Sequence, residues 1–237
     1  MSEPSGRLAG RLALVTGASR GIGAAVARRF AAEGAHVILL ARTVGGLEEL
    51  DDEIRAGGGT ATLVPLDLRD FDKLDQMGAS LYQRFGRLDV LVANAGVLGT
   101  LSPMGHFTPK IWAEVIDTNL TANWRLIRSL DPLLRLSESG RAIFTTCAAA
   151  RDATPYWGAY AASKAALETM VRIYAGEVAK TKLRVNLVDP GVVATRLRLQ
   201  GFPGEDRSQL RTPEDVVEPF VALASAECAL HGEIVHA

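Results

Sequence analysis

Short apolar runs alternate with segments of helical spacing along the whole chain. The apolar runs have the length of strands and predict them at Leu12–Thr16, His36–Leu40, Thr62–Leu66, Asp89–Ala93, Ala142–Thr146, Leu183–Val188 and Gly232–Val235. The segments between them predict helices at Gly21–Ala32, in the polar stretch that ends at Arg55, at Phe71–Arg84, at Pro109–Leu136, around Tyr160 as far as Ala179, and at Glu214–Ala224. Because nearly continuous apolar strands need cover on both faces, the alternation favours an α/β fold with one parallel, doubly wound sheet of about seven strands.

Nothing in the sequence divides this pattern into two domains. No Pro-, Gly- or Ser-rich linker and no internal repeat interrupts residues 1–237, which are therefore predicted to form a single domain. In a doubly wound sheet, ligands bind beside the carboxyl ends of the strands. The residues after those predicted ends are Gly17–Gly23, Asn94, Cys147 and Pro190-Gly191, so we expect them to converge in space.

Composition and charge exclude several classes of function. Hydrophobic residues make up 48% and charged residues 22% of the 237 residues, and the net charge of −1 gives no basic surface for nucleic acid. No apolar run approaches the roughly 20 residues that cross a bilayer, and Met1–Gly10 lacks the apolar segment of a signal peptide. The chain has only two cysteines, too few for a framework of disulfides, which fits a reducing compartment. Its four histidines are scattered, so no metal site is expected. The sequence therefore predicts a cytoplasmic protein that binds neither membrane nor nucleic acid.

Tyr160 and Lys164 are the first candidates for chemistry. On a helix, a spacing of four places both side chains on one face, roughly 5–6 Å apart at Cβ. A phenol with a reference pKa of about 10 exchanges protons poorly near neutrality. A fixed ammonium lowers that pKa, so Tyr160 could exchange a proton with a substrate oxygen. The alternative is an exposed pair on an amphipathic helix.

A glycine-rich stretch, Thr16–Gly23, joins the first predicted strand to the first predicted helix. Gly17 permits a tight turn there, whereas Gly21 and Gly23 let the backbone and the helix N-terminus approach a pyrophosphate. The spacing Gly-x-x-x-Gly-x-Gly differs from the Gly-x-Gly-x-x-Gly of the general dinucleotide fingerprint. Taken alone, the stretch is also compatible with a plain strand-to-helix connection.

Four motifs together resemble the short-chain dehydrogenase/reductase family. They are Thr16–Gly23, Asn94-Ala95-Gly96, Tyr160-x-x-x-Lys164 and Pro190-Gly191 with Thr195, in the family's order and over almost the whole chain. The resemblance implies a Rossmann-type sheet, a nicotinamide cofactor, and hydride transfer between a carbonyl and an alcohol. It also implies that Asn94 braces the sheet and that Asp67 lies near the adenine. The implied cofactor-binding residues are Gly17, Ser19, Arg20, Gly21, Ile22, Gly23, Arg42, Asp67, Leu68, Asn94, Ala95, Gly96, Tyr160, Lys164, Pro190, Gly191, Val193 and Thr195.

The family's catalytic tetrad is matched at three of its four positions. The resemblance makes Tyr160 the proton donor, Lys164 the group that lowers its pKa and holds the nicotinamide ribose, and Asn119 the anchor of a water that reaches Lys164. An ordinary helical asparagine satisfied by backbone groups is the alternative for Asn119. The family's serine lies 13 residues before the tyrosine, where this chain has Cys147. A thiol is a weaker hydrogen-bond donor, and losing one such donor costs about 10²–10³ in turnover.

Three interpretations of Cys147 remain open from the sequence. The first is a working but slowed enzyme, natural or made by a Ser→Cys change. The second is rescue by a neighbouring hydroxyl, for which strand alternation favours Thr145 over Thr146. The third is a nucleotide-binding regulatory or structural protein with impaired turnover.

The residues after the second strand indicate which nicotinamide cofactor is used. An acidic residue about 20 positions beyond the glycine loop would bind the ribose 2′-hydroxyl. This chain has Ala41-Arg42 there, and a guanidinium pairs with a 2′-phosphate through two hydrogen bonds. Arg20 could add a second cation. The sequence therefore favours NADP over NAD, unless both arginines are only solvated surface charges.

The predicted substrate pocket is mainly apolar. It is bounded by Leu98 and the residues after it, Tyr156, Trp157 and the stretch after Gly191, which favours a hydrophobic carbonyl or secondary alcohol. Three arginines that could meet an anionic substrate are interpreted as exposed surface residues: Arg151, Arg196 and Arg198.

Two predicted helical stretches carry apolar or small residues on more than one face. They are Ile111–Leu136 and Trp157–Ala179. A helix of this kind is buried on more than one side, and the family pairs its equivalent helices across subunits. We therefore expect a homodimer or homotetramer.

Overall fold

The computed structural model of the chain describes residues 6–237. The first half of the predicted polar start, Met1–Gly10, lies outside the described residues. The strands are β1 (Leu12–Thr16), β2 (His36–Ala41), β3 (Thr60–Pro65), β4 (Val90–Ala93), β5 (Arg141–Thr145), β6 (Arg184–Asp189) and β7 (Ile234–His236). The helices are α1 (Gly21–Ala32), α2 (Val44–Ala56), α3 (Phe71–Phe85), α4 (Pro109–Ile116), α5 (Ala122–Arg135), α6 (Ala149–Asp152), α7 (Gly158–Val178), α8 (Arg196–Gly201) and α9 (Glu218–Ala224).

The strands form one parallel sheet in the order β3-β2-β1-β4-β5-β6-β7. Every residue of β1, β4 and β5 is buried, as expected for a sheet with helices on both faces. One buried cluster packs α3, α5 and α7 against the sheet, and the other packs α1, α2 and α9 against the opposite face. The strand order reverses between β1 and β4, which opens a crevice at their carboxyl ends. The doubly wound Rossmann-type sheet expected from the sequence is confirmed.

The predicted helix Pro109–Leu136 is interrupted. Between α4 and α5 the chain makes a π-helical turn at Asp117–Thr121. Such a turn inserts an extra residue into the helical ladder and is frequent at functional sites. It carries Asn119, whose side chain is fully buried. Hydrophobic periodicity does not report a single inserted residue, so the sequence predicted one unbroken helix.

The predicted helix Glu214–Ala224 begins later than expected. Glu214–Val216 is a 3₁₀ turn, and α9 begins at Glu218 with Pro219 in its first turn. Proline has no N–H to donate to the preceding turn, so it starts a helix more readily than it continues one. Two short helices that the apolar pattern did not predict, α6 and α8, follow β5 and β6.

None of the helices within residues 6–237 is long and apolar enough to cross a membrane. The cytoplasmic location stays a prediction.

Candidate active site

The glycine loop after β1 has the conformation that a pyrophosphate cradle needs. Gly17 and Gly21 have φ values of +68° and +57°, a region that side-chain-bearing residues rarely adopt. A Cβ on Gly23 would lie 2.3 Å from the Gly17 carbonyl oxygen. The loop therefore turns tightly into α1, and the N-terminus of that helix faces the crevice as an anion site.

The ends of β1 and β4 are joined by side-chain hydrogen bonds. The backbone N–H groups of Asn94 and Ala95 donate to Thr16 Oγ1 at 3.0 and 3.1 Å. Asn94 Nδ2 donates to the Thr16 carbonyl at 3.2 Å. These bonds hold the β4 end, including Gly96, beside the glycine loop at the point where the strand order reverses.

A single cleft of about 740 Å³ runs along the carboxyl ends of the strands. Among the residues that line it are Gly17, Ser19, Arg20, Gly21, Ile22, Arg42, Asp67, Leu68, Asn94, Ala95, Gly96, Cys147, Tyr160, Lys164, Pro190, Gly191, Val193 and Thr195. Every predicted site residue is in this set except Gly23 and Asn119, which lie behind the lining. The expected convergence of the four motifs is what the fold produces.

Tyr160 and Lys164 lie on α7 and reach the cleft beside Cys147. Both side chains are nearly enclosed, with exposures of 7% and 4%. Lys164 Nζ donates a 2.8 Å hydrogen bond to the Thr145 carbonyl at the end of β5 and lies 5.9 Å from the centre of the Tyr160 ring. Cys147 is partly exposed. The arrangement therefore places a phenol, an ammonium and a thiol at one end of the cleft.

The direction of the Tyr160 pKa corrects a prediction. Burial raises the pKa of Tyr160 well above its usual value, and the neighbouring Cys147 raises it further. The sequence predicted that Lys164 would lower it. Burial also lowers the pKa of Lys164, although Cys147, Asp189 and Glu168 oppose that shift. Burial deprives a phenolate of water, which favours the protonated form of Tyr160.

Asn119 is held entirely by groups behind the cleft wall. Its Oδ1 accepts from the Val97 N–H, and its Nδ2 donates to the Val97 carbonyl, both at 2.9 Å. Nδ2 also donates to Ser163 Oγ on α7 at 3.0 Å. The same side chain abuts Gly96, where a Cβ would lie 3.3 Å from Asn119 Oδ1 and 3.7 Å from Lys164 Nζ. Asn119 thus ties the segment after β4 to α7 close to Lys164, and it forms no direct hydrogen bond to that lysine.

The cationic end of the cleft contains a competing carboxylate. Arg42 Nη1 lies 3.7 Å from Asp67 Oδ2, and half of the Arg42 side chain is exposed. Arg69 binds the same carboxylate through its backbone and side chain. Burial raises the pKa of Asp67, but the hydrogen bonds and charge of Arg69 and the charge of Arg42 outweigh burial and lower it. Arg20 is exposed at the same end.

Part of the expected substrate end lines the cleft and part does not. Residues 192–198, which follow Gly191, line it as expected. Leu98 is buried at 2% exposure and Tyr156 is 61% exposed, and neither lines the cleft, whereas Trp157 does. Its ring centre lies 5.8 Å from that of Phe202, a residue that the sequence did not single out. Phe202 follows α8, an element without a clear apolar signal.

The three arginines expected to be free on the surface behave differently from one another. Arg151 binds the buried carboxylates of Glu168 and Asp189. Arg198 binds Glu205 at 2.6 Å and covers the Phe202 ring. Arg196 is exposed as expected. The partners of Arg151 are 17 and 38 residues away in sequence, so no local pattern could reveal the pairing.

Comparisons with known proteins match this architecture. The sequence profile described as short chain dehydrogenase matches residues 11–205. The uncharacterized oxidoreductase YciK of Escherichia coli K12 is 37% identical over 216 residues, which cover 90% of this chain and 85% of the relative. An uncharacterized NAD-dependent oxidoreductase of Mycobacterium tuberculosis is 37% identical over 209 residues, covering 82% and 76% of the two chains. A crystal structure of a Shigella flexneri 2a protein assigned to the short-chain dehydrogenases, complexed with NADP, superposes with a TM-score of 0.93 at 34% identity over 100% of this chain and 99% of that chain.

Proposed function

The chain belongs to the short-chain dehydrogenase family, and from this premise we propose that it is an NADP-dependent oxidoreductase that interconverts a carbonyl and a secondary alcohol. The observation that carries the proposal is the meeting of the glycine loop with Tyr160, Lys164 and Cys147 in one cleft. NADPH, when bound, supplies the hydride. The fit to a dinucleotide rests on the tight Gly17–Gly23 turn, where a Cβ on Gly23 would collide with backbone.

The protein residues divide the remaining work. The backbone of the glycine loop and the N-terminus of α1 would hold the pyrophosphate, and Arg42 with Arg20 would hold the 2′-phosphate. Tyr160, kept protonated by burial, donates its proton to the carbonyl oxygen during reduction. Lys164 supplies positive charge beside the phenol, where negative charge develops.

In the proposed reaction, Cys147 is the side chain that would donate to the substrate oxygen. Its thiol is a weak donor, so we propose reduced turnover rather than lost turnover. A nucleotide-binding protein without turnover is the second candidate, and Cys147 is the observation that favours it. Loss of NADPH absorbance with a panel of ketones and aldehydes separates the two. Tight NADPH binding with no turnover of any panel member would favour the second.

The cofactor preference has its own test in Arg42→Asp. In that variant we expect the Kd for NADPH to rise about 10- to 30-fold, because a half-exposed guanidinium contributes about 1.4–2 kcal/mol to a phosphate contact. The Kd for NADH is expected to stay the same or fall. Arg84→Asp, which changes an exposed arginine of α3 outside the cleft, is the matched control. Equal Kd values for NADPH and NADH in the unaltered chain would contradict the preference. NAD is the alternative cofactor, because the mycobacterial relative is named as NAD-dependent.

We also propose a homodimer or homotetramer that pairs α4, α5 and α7 across subunits. Large apolar side chains stand exposed on these helices: Trp112 at 38%, Trp124 at 46% and Ile173 at 58%. Exposed apolar surface of this kind marks interaction sites. Light scattering should give at least twice the 25.3 kDa chain mass. A monomer at micromolar concentration would contradict this.

A further inference from the structure

Arg151 joins two buried carboxylates beside the catalytic end of the cleft. It lies on α6, four residues after Cys147. Its Nη1 binds Glu168 Oε1, and its Nη2 lies 2.5 Å from Asp189 Oδ2. The carboxylate side chains are only 6% and 4% exposed, whereas that of Arg151 is 36% exposed. Carboxylates so enclosed need a paired cation, and Arg151 supplies it.

The same oxygen of Glu168 holds the chain on both sides of Cys147. Thr146 Oγ1 donates to Glu168 Oε1 at 2.7 Å, and Arg151 binds that atom from the other side. Within the loop, the Cys147 carbonyl accepts from the Ala150 N–H at 3.1 Å. The loop that carries the thiol is therefore anchored at its start and its end to α7, the helix of Tyr160 and Lys164.

The other carboxylate anchors a second wall of the cleft. Asp189 ends β6, and its Oδ1 accepts from the Gly191 N–H at 3.0 Å. This bond holds the Pro190-Gly191 turn, which lines the cleft. Arg151 thus connects the loop after β5, the catalytic helix and the turn after β6.

The cluster also sets the electrostatic surroundings of the proton-transfer groups. Burial lowers the pKa of Lys164, and Asp189 and Glu168 oppose that effect. Burial raises the pKa of Tyr160, and Asp189 adds to it. Arg151 offsets this negative charge, and His236 of β7 adds a further titratable group, with Nδ1 3.8 Å from Asp189 Oδ2. Cys147 and Asp189 thus act on both Tyr160 and Lys164, and Glu168 acts on Lys164.

We propose that Arg151 and Glu168 are positioning residues, which hold the Cys147 loop against α7 and set the charge around Tyr160 and Lys164. The proposal rests on the proposed function, since it assigns how that reaction is tuned. Neither residue needs to touch the substrate. Both act through Cys147 and the Tyr160–Lys164 pair.

The first test is the pH dependence of kcat/KM for carbonyl reduction in Arg151→Gln, Glu168→Gln and the double variant. Arg151→Gln removes a positive charge, so the alkaline limb of its kcat/KM profile should move to higher pH by roughly 0.5 pH unit or more. Glu168→Gln removes a negative charge, so the alkaline limb of its profile should move to lower pH. The double variant should return close to the unaltered profile.

Two further variants distinguish positioning from general stability. Arg151→Gln should lower kcat at least tenfold while the NADPH Kd changes less than about threefold. Arg151→Lys, which keeps the charge and loses the two-carboxylate fork, should restore the pH profile but only part of kcat. Arg29→Gln is the matched control, because Arg29 is 39% exposed and pairs with the mostly buried Glu33 at a distance from the cleft. It should leave the pH profile unchanged.

An alkylation assay tests the same proposal without turnover. In a Cys228→Ser background Cys147 is the one cysteine left in the chain, so iodoacetamide alkylates only that thiol. At fixed pH the reaction should be at least twofold faster in Arg151→Gln and in Glu168→Gln, because each variant releases an anchor of the loop that carries the thiol. Faster alkylation in both variants with no turnover would remove the proposed function and keep the positioning role. Unchanged pH profiles and alkylation rates, with only a lower Tm, would overturn the positioning role.

Discussion

Replacing Cys147 by serine should increase turnover. The side chain stands at the end of the cleft next to Tyr160, and it is partly exposed. A serine hydroxyl donates a stronger hydrogen bond than a thiol to an oxygen on which negative charge develops. The substitution is small and adds no atoms, so the loop anchored by Glu168 can accept it without rearrangement.

The size of the effect follows from how enclosed the site is. Removing one donor in a water-excluded site costs about 2.7–4 kcal/mol. Tyr160 and Lys164 are nearly enclosed, but Cys147 is partly open to solvent and its thiol keeps some donor strength. We therefore expect about half of that cost, ~1.4–2 kcal/mol, which is about a 10- to 30-fold rise in kcat for Cys147→Ser. Initial rates of NADPH oxidation with one accepted carbonyl measure the change in kcat.

Cys228→Ser is the control for this substitution. Cys228 is also partly buried, but it follows α9 and its carbonyl accepts from Arg141 Nη2 on the side of the fold that does not face the cleft. Its turnover and pH profile should match those of the unaltered chain. If kcat for Cys147→Ser is no higher than that of the unaltered chain, the missing-donor explanation is wrong.

Two further predictions concern stability. Gly23→Ala should destabilise the fold by about 1–3 kcal/mol, with a lower Tm and weaker NADPH binding, because the added Cβ lies 2.3 Å from the Gly17 carbonyl oxygen. Gly176→Ala is the control: its added Cβ has nothing within 4 Å, so it should raise Tm slightly. Equal Tm changes in thermal melts would contradict this. Hydrogen bonds from Arg7 lower the pKa of Glu33 to about 2 from 4.5, so this carboxylate stabilises the fold above about pH 4.5 and the contribution is lost as pH falls towards 2. Glu33→Gln should cost about 1 kcal/mol at pH 7, discounted because Arg7 is 41% exposed, and should flatten the acid limb of urea unfolding; an unchanged acid limb would refute the assignment.

The seven strands, most of the longer helices and the motifs that line the cleft could be predicted from the sequence. Apolar runs such as Leu12–Thr16 define strands buried on both faces, because helices must cover both sides of a parallel sheet. Residues just after those runs meet at one edge whatever the details of packing. This is why the sequence alone assigns Gly17, Asn94 and Pro190 to one site, and all three line the cleft.

Three features were decided only by the tertiary structure, because each depends on contacts between residues far apart in sequence. The π turn at Asp117–Thr121 buries Asn119 against Val97 and Ser163, and a single inserted residue leaves no periodic signal. The sequence predicts Arg151 to be a surface residue, and only the packing of α7 and β6 places Glu168 and Asp189 beside it. A helical spacing brings two side chains together, but the sign of a pKa shift depends on how much water the surrounding fold removes, which no local sequence pattern specifies.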